Sequence, residues 1–189
     1  MSSVFVTGAA GYIGQNVAIA FRNAGFRVYG LVRTPEKGNF RTNLHYYRAD
    51  RNSGTELIRH EVIPVVGDLN KAETYIEILG RCAIVVDTVA DLFSQAEDPC
   101  AVNRILLDAC TRESDPSSGK VKKTFIYTSG VLAYTHSDEV RDENTPATSD
   151  FPFVKARRRF EQDLLSHPEV RCSLTFFFQS FLSCRSEES

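Results

Sequence analysis

The sequence predicts an α/β fold, a doubly wound parallel sheet with helices on both faces. Two observations support this: an apolar run at residues 4–6 leads directly into a glycine-rich turn, and strand and helix patterns alternate from there on. Strands that alternate with helices are typical of parallel sheets. The chain has 189 residues, 42% of them hydrophobic, enough for one buried core. We therefore expect a single domain over residues 1–182 and a disordered tail at 183–189.

The first elements surround a turn with glycines at positions 8, 11 and 14. Gly8 permits a tight turn out of the strand, Gly11 has no Cβ to hold a phosphate away, and Gly14 lets the next helix pack closely. Apolar residues at helical spacing follow until Gly25, and a second strand is predicted at 27–32. Backbone N–H groups and the positive end of the helix dipole then face an anion. We interpret the turn as a pyrophosphate site; a glycine-rich turn without ligand is the alternative.

Later segments continue the alternation. Strands are predicted at 61–66, 83–86, 123–127 and 173–178, and Asp98-Pro99 opens a helix between the strands at 83–86 and 123–127. Pro64 cannot donate to a strand ladder, so its strand belongs at a sheet edge, which is the place of the third strand in the order 3-2-1-4-5-6. Residues 38–54 show no helical or strand periodicity of apolar residues. We interpret them as an irregular insertion, either a long surface loop or a splice product.

Composition excludes several classes of function. A net charge of −2 argues against nucleic acid and anionic membranes as partners, and no stretch approaches the roughly 20 apolar residues of a membrane span. The first strand begins too early to leave room for a secretory signal. Five cysteines without a C-x-x-C pair fit reduced thiols in the cytoplasm, and four scattered histidines predict no metal site.

Three motifs together resemble a known family: Thr7-Gly8-x-x-Gly11-x-x-Gly14, Gly67-Asp68-Leu69 after the third strand, and Thr128-Ser129 after the fifth. Over residues 3–171 the chain resembles the extended short-chain dehydrogenase/reductases, the NAD(P)-binding epimerase/dehydratase group with a Rossmann domain. The resemblance places Asp68 and Leu69 at the adenine and matches Asn103 to a family asparagine. It implies the cofactor-binding residues Gly8, Gly11, Tyr12, Ile13, Gly14, Asp68, Leu69, Val89, Ala90, Thr128 and Lys155, with Val89 and Ala90 beneath the ribose and pyrophosphate. A helix N-cap is the alternative for Asp68.

Charge at the end of the second strand bears on the choice of cofactor. An acid there would accept hydrogen bonds from the ribose 2′-OH of NAD, but the chain has Arg33, followed by Lys37. A guanidinium binds a phosphate bidentately, so NADP is favoured, with NAD possible. A solvated surface charge is the alternative for Arg33.

Catalysis in the family uses a hydroxyl residue after the fifth strand and a Tyr-x-x-x-Lys pair. In this chain the pair matches Phe151 and Lys155, and phenylalanine has no proton to transfer. The usual serine position falls on Gly130. We expect Lys155 to orient the cofactor, with Ser129 or Tyr134 handling the proton. As the alternative, Lys155 begins a basic run, 155–159, on a solvated helix face.

The resemblance implies hydride transfer between a nicotinamide and a small carbonyl or alcohol, or a nucleotide sugar. Gly130 and Phe151, with the missing C-terminal portion, instead favour a non-catalytic dinucleotide-binding module or an inactive truncated product. The family continues past the sixth strand into a substrate-binding portion of about a hundred residues, whereas this sequence ends at Ser189, and we interpret it as C-terminally truncated. Truncation would expose Phe176, Phe177, Phe178 and Phe181 at an open edge strand, where pairing into a homodimer or aggregation is expected.

Overall fold

The computed structural model describes residues 2–33, 57–89, 98–114, 117, 119–130, 145 and 148–177. Its strands are β1 (Ser3–Val6), β2 (Arg27–Val32), β3 (Ile63–Val66), β4 (Ile84–Asp87), β5 (Thr124–Gly130) and β6 (Arg171–Phe177). The helices within these ranges are α1 (Tyr12–Asn23), α2 (Ile76–Gly80), α3 (Ala101–Arg112) and α4 (Pro152–Ser166), with a 3₁₀ turn at Ala72–Thr74. The strands form one sheet in the order β3-β2-β1-β4-β5-β6, and every neighbouring pair is parallel. The predicted doubly wound α/β fold is confirmed.

Side chains alternate between two apolar layers, one on each face of the sheet. Phe5 points into a layer filled from α2, α3 and α4, where Leu106 and Phe160 are fully buried. Val4 and Val6 point to the opposite face and pack with residues of α1. Burial on both faces is what a parallel sheet covered by crossover helices requires. The central strands therefore present only their ends to solvent.

The edges of the sheet follow from particular residues. β3 is the outer strand beyond β2, and Pro64 pairs there with Gly30, which confirms the edge position expected for that proline. At the other side, β6 runs parallel to β5 along its whole length, from Arg171 opposite Thr124 to Phe177 opposite Gly130. It begins two residues before the predicted strand at 173–178. The predicted insertion at 38–54, the tail at 183–189, and Phe178 and Phe181 lie outside the described residues.

Candidate functional site

The crossover direction changes between β1 and β4, and the glycine turn lies at that point. In doubly wound sheets ligands bind outside the carboxyl ends of the strands where the strand order reverses. Gly8 has a φ of +63°, and a Cβ added to it would lie 2.7 Å from Thr88 Oγ1. A Cβ on Gly14 would lie only 2.2 Å from the Gly8 carbonyl oxygen. Both glycines are therefore required for α1 to begin directly against the turn.

Gly11 has a different environment. It is the N-cap residue of α1, in extended conformation, and its N–H donates to the Gly8 carbonyl oxygen over 2.8 Å. A Cβ here would meet one atom, the same oxygen, at 3.1 Å, and the residue is exposed. Tyr12, 72% exposed, and half-buried Ile13 follow at the helix start, where N–H groups lack intrahelical acceptors. The bare helix start fits a phosphate group.

A buried polar network lies beneath the turn and centres on Asp87 at the end of β4. Its Oδ1 accepts from Thr7 Oγ1 (2.6 Å) and from the Val89 N–H (3.1 Å), while Oδ2 accepts from Asn103 Nδ2 (2.7 Å). Burial raises the pKa of Asp87, and these hydrogen bonds oppose the rise. The network ties β1, β4 and α3 together at their crevice ends.

The same network positions Val89. Asn103 Nδ2 also donates to the Val89 carbonyl oxygen over 3.1 Å, and a Cβ on Gly8 would come within 3.2 Å of Val89 Cγ2. Val89 thus lies beside the glycine turn, while Ala90 is outside the described residues. Sequence reasoning named Asn103 but missed Asp87. The available signal was an acid that directly ends the apolar run of a parallel strand.

Arg33 and Asp68 follow the neighbouring carboxyl ends of β2 and β3. The Gly67 N–H donates to the Val32 carbonyl oxygen over 3.0 Å, and the charge of Arg33 contributes to lowering the pKa of Asp68. The largest cause of that lowered pKa is the hydrogen bond from the Asn70 N–H to Asp68 Oδ1, 3.0 Å long. Asp68 therefore caps a local turn. The alternative of a helix N-cap is wrong, because the N-cap of the 3₁₀ turn is Lys71.

Leu69, the third residue of this motif, is partly buried against the core. Its carbonyl oxygen accepts a hydrogen bond of 3.2 Å from the Tyr75 hydroxyl. The loop after β3 is therefore attached to the 3₁₀ turn by both packing and hydrogen bonding. A fixed loop at this edge can form one wall of the crevice.

Ser129, on β5, faces α4. Its Oγ donates to Glu161 Oε1 over 2.5 Å, and both residues are buried. Burial raises the pKa of Glu161, although the Ser129 hydrogen bond and the charges of Arg157 and Arg158 lower it. Ser129 thus has a carboxyl partner that sequence reasoning did not anticipate, and its role in proton handling stays a prediction.

Lys155 and Phe151 lie at the solvent side of α4. Lys155 Nζ pairs with Asp150 Oδ1 at 2.9 Å with its side chain half exposed, and Phe151, the N-cap residue, is 69% exposed. Arg157 instead reaches β5, where Nη2 donates to the Thr128 carbonyl oxygen over 2.7 Å. Positions 155 and 157 are two residues apart, which separates them by about 200° around the helix axis, so the two side chains cannot both face the sheet. Of these two basic residues, the structure brings Arg157 rather than Lys155 to the carboxyl end of β5. Tyr134, the other predicted proton donor, lies outside the described residues.

Two absences hold for the described part of the chain. It contains no group of three or more His, Cys, Asp or Glu residues that could hold a metal ion. None of its helices is long and apolar enough to cross a membrane.

Comparison with known proteins gives a family and a set of folds. The profile described as "NAD dependent epimerase/dehydratase family" matches residues 4–169. A comparison with curated proteins finds no match. Among solved structures, the UDP-Glc/GlcNAc 4-epimerase of Campylobacter jejuni has a TM-score of 0.68 at 16% identity, covering 94% of this chain and 54% of its own.

Two further solved structures have the same fold. The dTDP-glucose 4,6-dehydratase of Bacillus anthracis in complex with NAD gives a TM-score of 0.67 at 15% identity, covering 93% of this chain and 54% of its own. The UDP-glucuronic acid 4-epimerase of Bacillus cereus, in complex with a fluorinated UDP-glucuronic acid and NAD, gives a TM-score of 0.67 at 16% identity. The match covers 94% of this chain and 56% of the epimerase. The chain therefore spans about half the length of these proteins.

Proposed function

The chain belongs to the NAD dependent epimerase/dehydratase family, and we propose that it binds a nicotinamide adenine dinucleotide, NADP in preference to NAD, in the crevice at the carboxyl ends of β1 and β4. The observation that carries this proposal is the glycine turn itself. Gly8 and Gly14 are needed for its shape, whereas Gly11 leaves the start of α1 bare although, among the described residues, only one atom lies near its missing Cβ. A helix start left open in this way suits the diphosphate.

The rest of the dinucleotide would extend from the diphosphate in both directions. Asp68 and Leu69 would meet the adenine, Val89 would pass beneath the ribose and diphosphate, and Thr128 would lie toward the nicotinamide. The NAD present in the two neighbouring structures from Bacillus cereus and Bacillus anthracis supports a nicotinamide cofactor. The preference for NADP rests on Arg33, which is exposed at the end of β2. Its guanidinium suits a 2′-phosphate, where an acid would suit the free hydroxyl of NAD.

When bound, the cofactor supplies hydride transfer at its nicotinamide ring. The proposed reaction is hydride exchange with a small aldehyde, ketone or alcohol, or with a nucleotide sugar, in the cytoplasm. In this reading Ser129 or Tyr134 moves the proton and Lys155 orients the cofactor. A second function, a dinucleotide-binding module without turnover, is favoured by one observation: Lys155 lies on the solvent side of α4, where its half-exposed side chain pairs with Asp150.

Titration calorimetry of the full chain with NADPH and NADH tests the binding proposal. We expect NADPH to bind more tightly, and Arg33→Ala to remove most of that preference while leaving NADH affinity unchanged. Gly11→Val should abolish binding of both, since its side chain would fill the place of the diphosphate. Arg27→Ala, an exposed charge at the start of β2, is the matched control. Equal or tighter binding of NADH would overturn the argument from Arg33, and absence of binding would overturn the proposal.

Turnover separates the two functions. Loss of NADPH absorbance is followed against a panel of aldehydes and ketones, with Lys155→Ala and Ser129→Ala beside the wild type. Turnover that both variants lose supports the enzyme. Tight NADPH binding without turnover on any panel member supports the module.

A further inference from the structure

Arg157 is held at the carboxyl end of β5 by four contacts. Its Nε donates to the Tyr127 hydroxyl over 2.9 Å and its Nη2 to the Thr128 carbonyl oxygen over 2.7 Å. Its Cζ lies 5.4 Å from the centre of the Tyr127 ring and 5.9 Å from that of Phe153. Because hydrogen bonds and rings fix the guanidinium plane, its remaining donors point in set directions before any ligand arrives.

Among the residues that the structure describes, those remaining donors have room beside them. A guanidinium carries five N–H groups, and the two hydrogen bonds use two of them. Within the described ranges Nη1 donates to no protein acceptor, and its neighbour Gly130 has no side chain. A Cβ on Gly130 would lie 3.6 Å from Nη1, in ordinary contact. A ligand oxygen could occupy the space that a longer side chain at this position would fill.

The position of Arg157 in the sheet distinguishes it from the diphosphate site. Asp87 pairs with Tyr127, so Thr128 and Gly130 extend beyond the end of β4. β5 lies two strands from β1, about 10 Å at the usual strand spacing, and on the side away from β2 and β3. An oxyanion bound there would belong to a ligand other than the diphosphate at the glycine turn.

The alternative role for Arg157 is that of a counter-ion to buried acids. Its positive charge lowers the pKa of two buried acids, Asp87 and Glu161, whose pKa values are both raised by burial. A pure counter-ion would be expected to donate to one of them. Instead Glu161 accepts from Ser129, and Asp87 from Thr7, Asn103 and Val89.

Building on the proposed function, we propose that Arg157 binds the oxyanion of a second ligand, a small carboxylate or phosphate ester held beside the dinucleotide. Charge-assisted and bidentate hydrogen bonds to an oxyanion are the strongest contacts that a guanidinium makes. The second ligand of this crevice would therefore be an anionic carbonyl or alcohol compound rather than a neutral one.

The experiment uses the full chain saturated with NADP⁺, which cannot reduce the probes. Pyruvate and inorganic phosphate are titrated by calorimetry, with chloride at matched ionic strength as the reference. We expect one or both anions to bind, and Arg157→Met to weaken that binding about tenfold to a hundredfold. Arg159→Met removes the same charge from an exposed site on the same helix and should leave it unchanged. Whether pyruvate or phosphate binds more tightly assigns the carboxylate or the phosphate ester.

Because Arg157→Met also removes two hydrogen bonds, a second pair of variants keeps the guanidinium in place. Gly130→Asp sets a carboxylate beside Nη1 and should abolish anion binding, whereas Gly130→Asn, of the same size, should retain most of it. Absence of anion binding in the wild type, or equal loss in Arg159→Met, would overturn the inference. NADP⁺ affinity is measured in the wild type and in every variant. If the wild type does not bind NADP⁺, the proposed function is overturned instead.

Discussion

Replacing Gly14 by alanine tests how closely α1 packs against the glycine turn. An alanine Cβ would lie 2.2 Å from the Gly8 carbonyl oxygen and 2.6 Å from its carbonyl carbon, where real contacts are at least 3.0 Å. Both of these atoms are backbone, a third close contact would be Thr88 Oγ1 at 2.7 Å, and Gly8 is itself held at a φ of +63°. No side-chain rotation relieves the contact, so the turn and the helix must separate.

The magnitude follows from two opposing effects. Alanine gains about 1 kcal/mol over glycine in a helix. Overpacking costs about 1–3 kcal/mol, and a clash between two backbone segments belongs at or above the upper end of that range. We therefore expect Gly14→Ala to lower the free energy of unfolding by about 2 kcal/mol, a large share of the 5–15 kcal/mol that is typical of domains.

Urea denaturation followed by circular dichroism measures the change. With a slope of about 2 kcal/mol per molar, the midpoint should fall by about 1 M. Gly11→Ala is the matched control, because within the described residues its Cβ would meet one atom, at 3.1 Å. Gly11→Ala should lower the free energy of unfolding by no more than about 1 kcal/mol. It should nevertheless weaken NADPH binding. A wild-type midpoint for Gly14→Ala would refute the reasoning, as would equal destabilisation by the two variants.

Three further outcomes are expected. Asp87→Asn should lower the free energy of unfolding by about 1–3 kcal/mol in urea, because an amide group would oppose the donors of Thr7, Val89 and Asn103. Burial raises the pKa of Glu161 above 4.5 in the folded protein, so the protonated side chain stabilises the fold fully below pH 4.5. That stabilisation is lost as the pH rises through the raised pKa. The melting temperature of the wild type should therefore fall over this pH range, and that of Glu161→Gln should not fall for this reason. With β6 at the outer edge of the sheet, we expect a homodimer by analytical ultracentrifugation, and purely monomeric protein would contradict that expectation.

The parts of the fold that could be predicted from sequence depend on local signals. The glycine turn follows from chain geometry within eight residues, and Pro64 excludes a central strand wherever it stands. Strand ends were less predictable. β5 continues to Gly130, three residues beyond the expected end, because β6 pairs with it over its whole length, and that partner lies about fifty residues away in the chain.

The candidate site could be predicted only in part, for a related reason. Gly8, Gly11 and Gly14 were recognisable because each serves its neighbours in the chain. Asp87 was not, because the donors that justify a buried acid include Thr7, 80 residues away. A polar residue at a strand end has the same local pattern whether it is solvated or buried, and tertiary contacts decide between the two.

The basic residue of α4 shows the same limit most clearly. Phe151 with Lys155 and Phe153 with Arg157 are both phenylalanine–base pairs at a spacing of four, so sequence spacing supports either. The helix can turn only one of the two bases toward β5, and the choice depends on how it packs. Phe160 and Leu164, fully buried against the sheet, set that rotation, and the Tyr127–Phe160 ring contact of 5.1 Å fixes it beside Arg157. The basic group at the end of β5 is therefore a guanidinium, whose planar fork of donors matches the oxygens of a carboxylate or a phosphate.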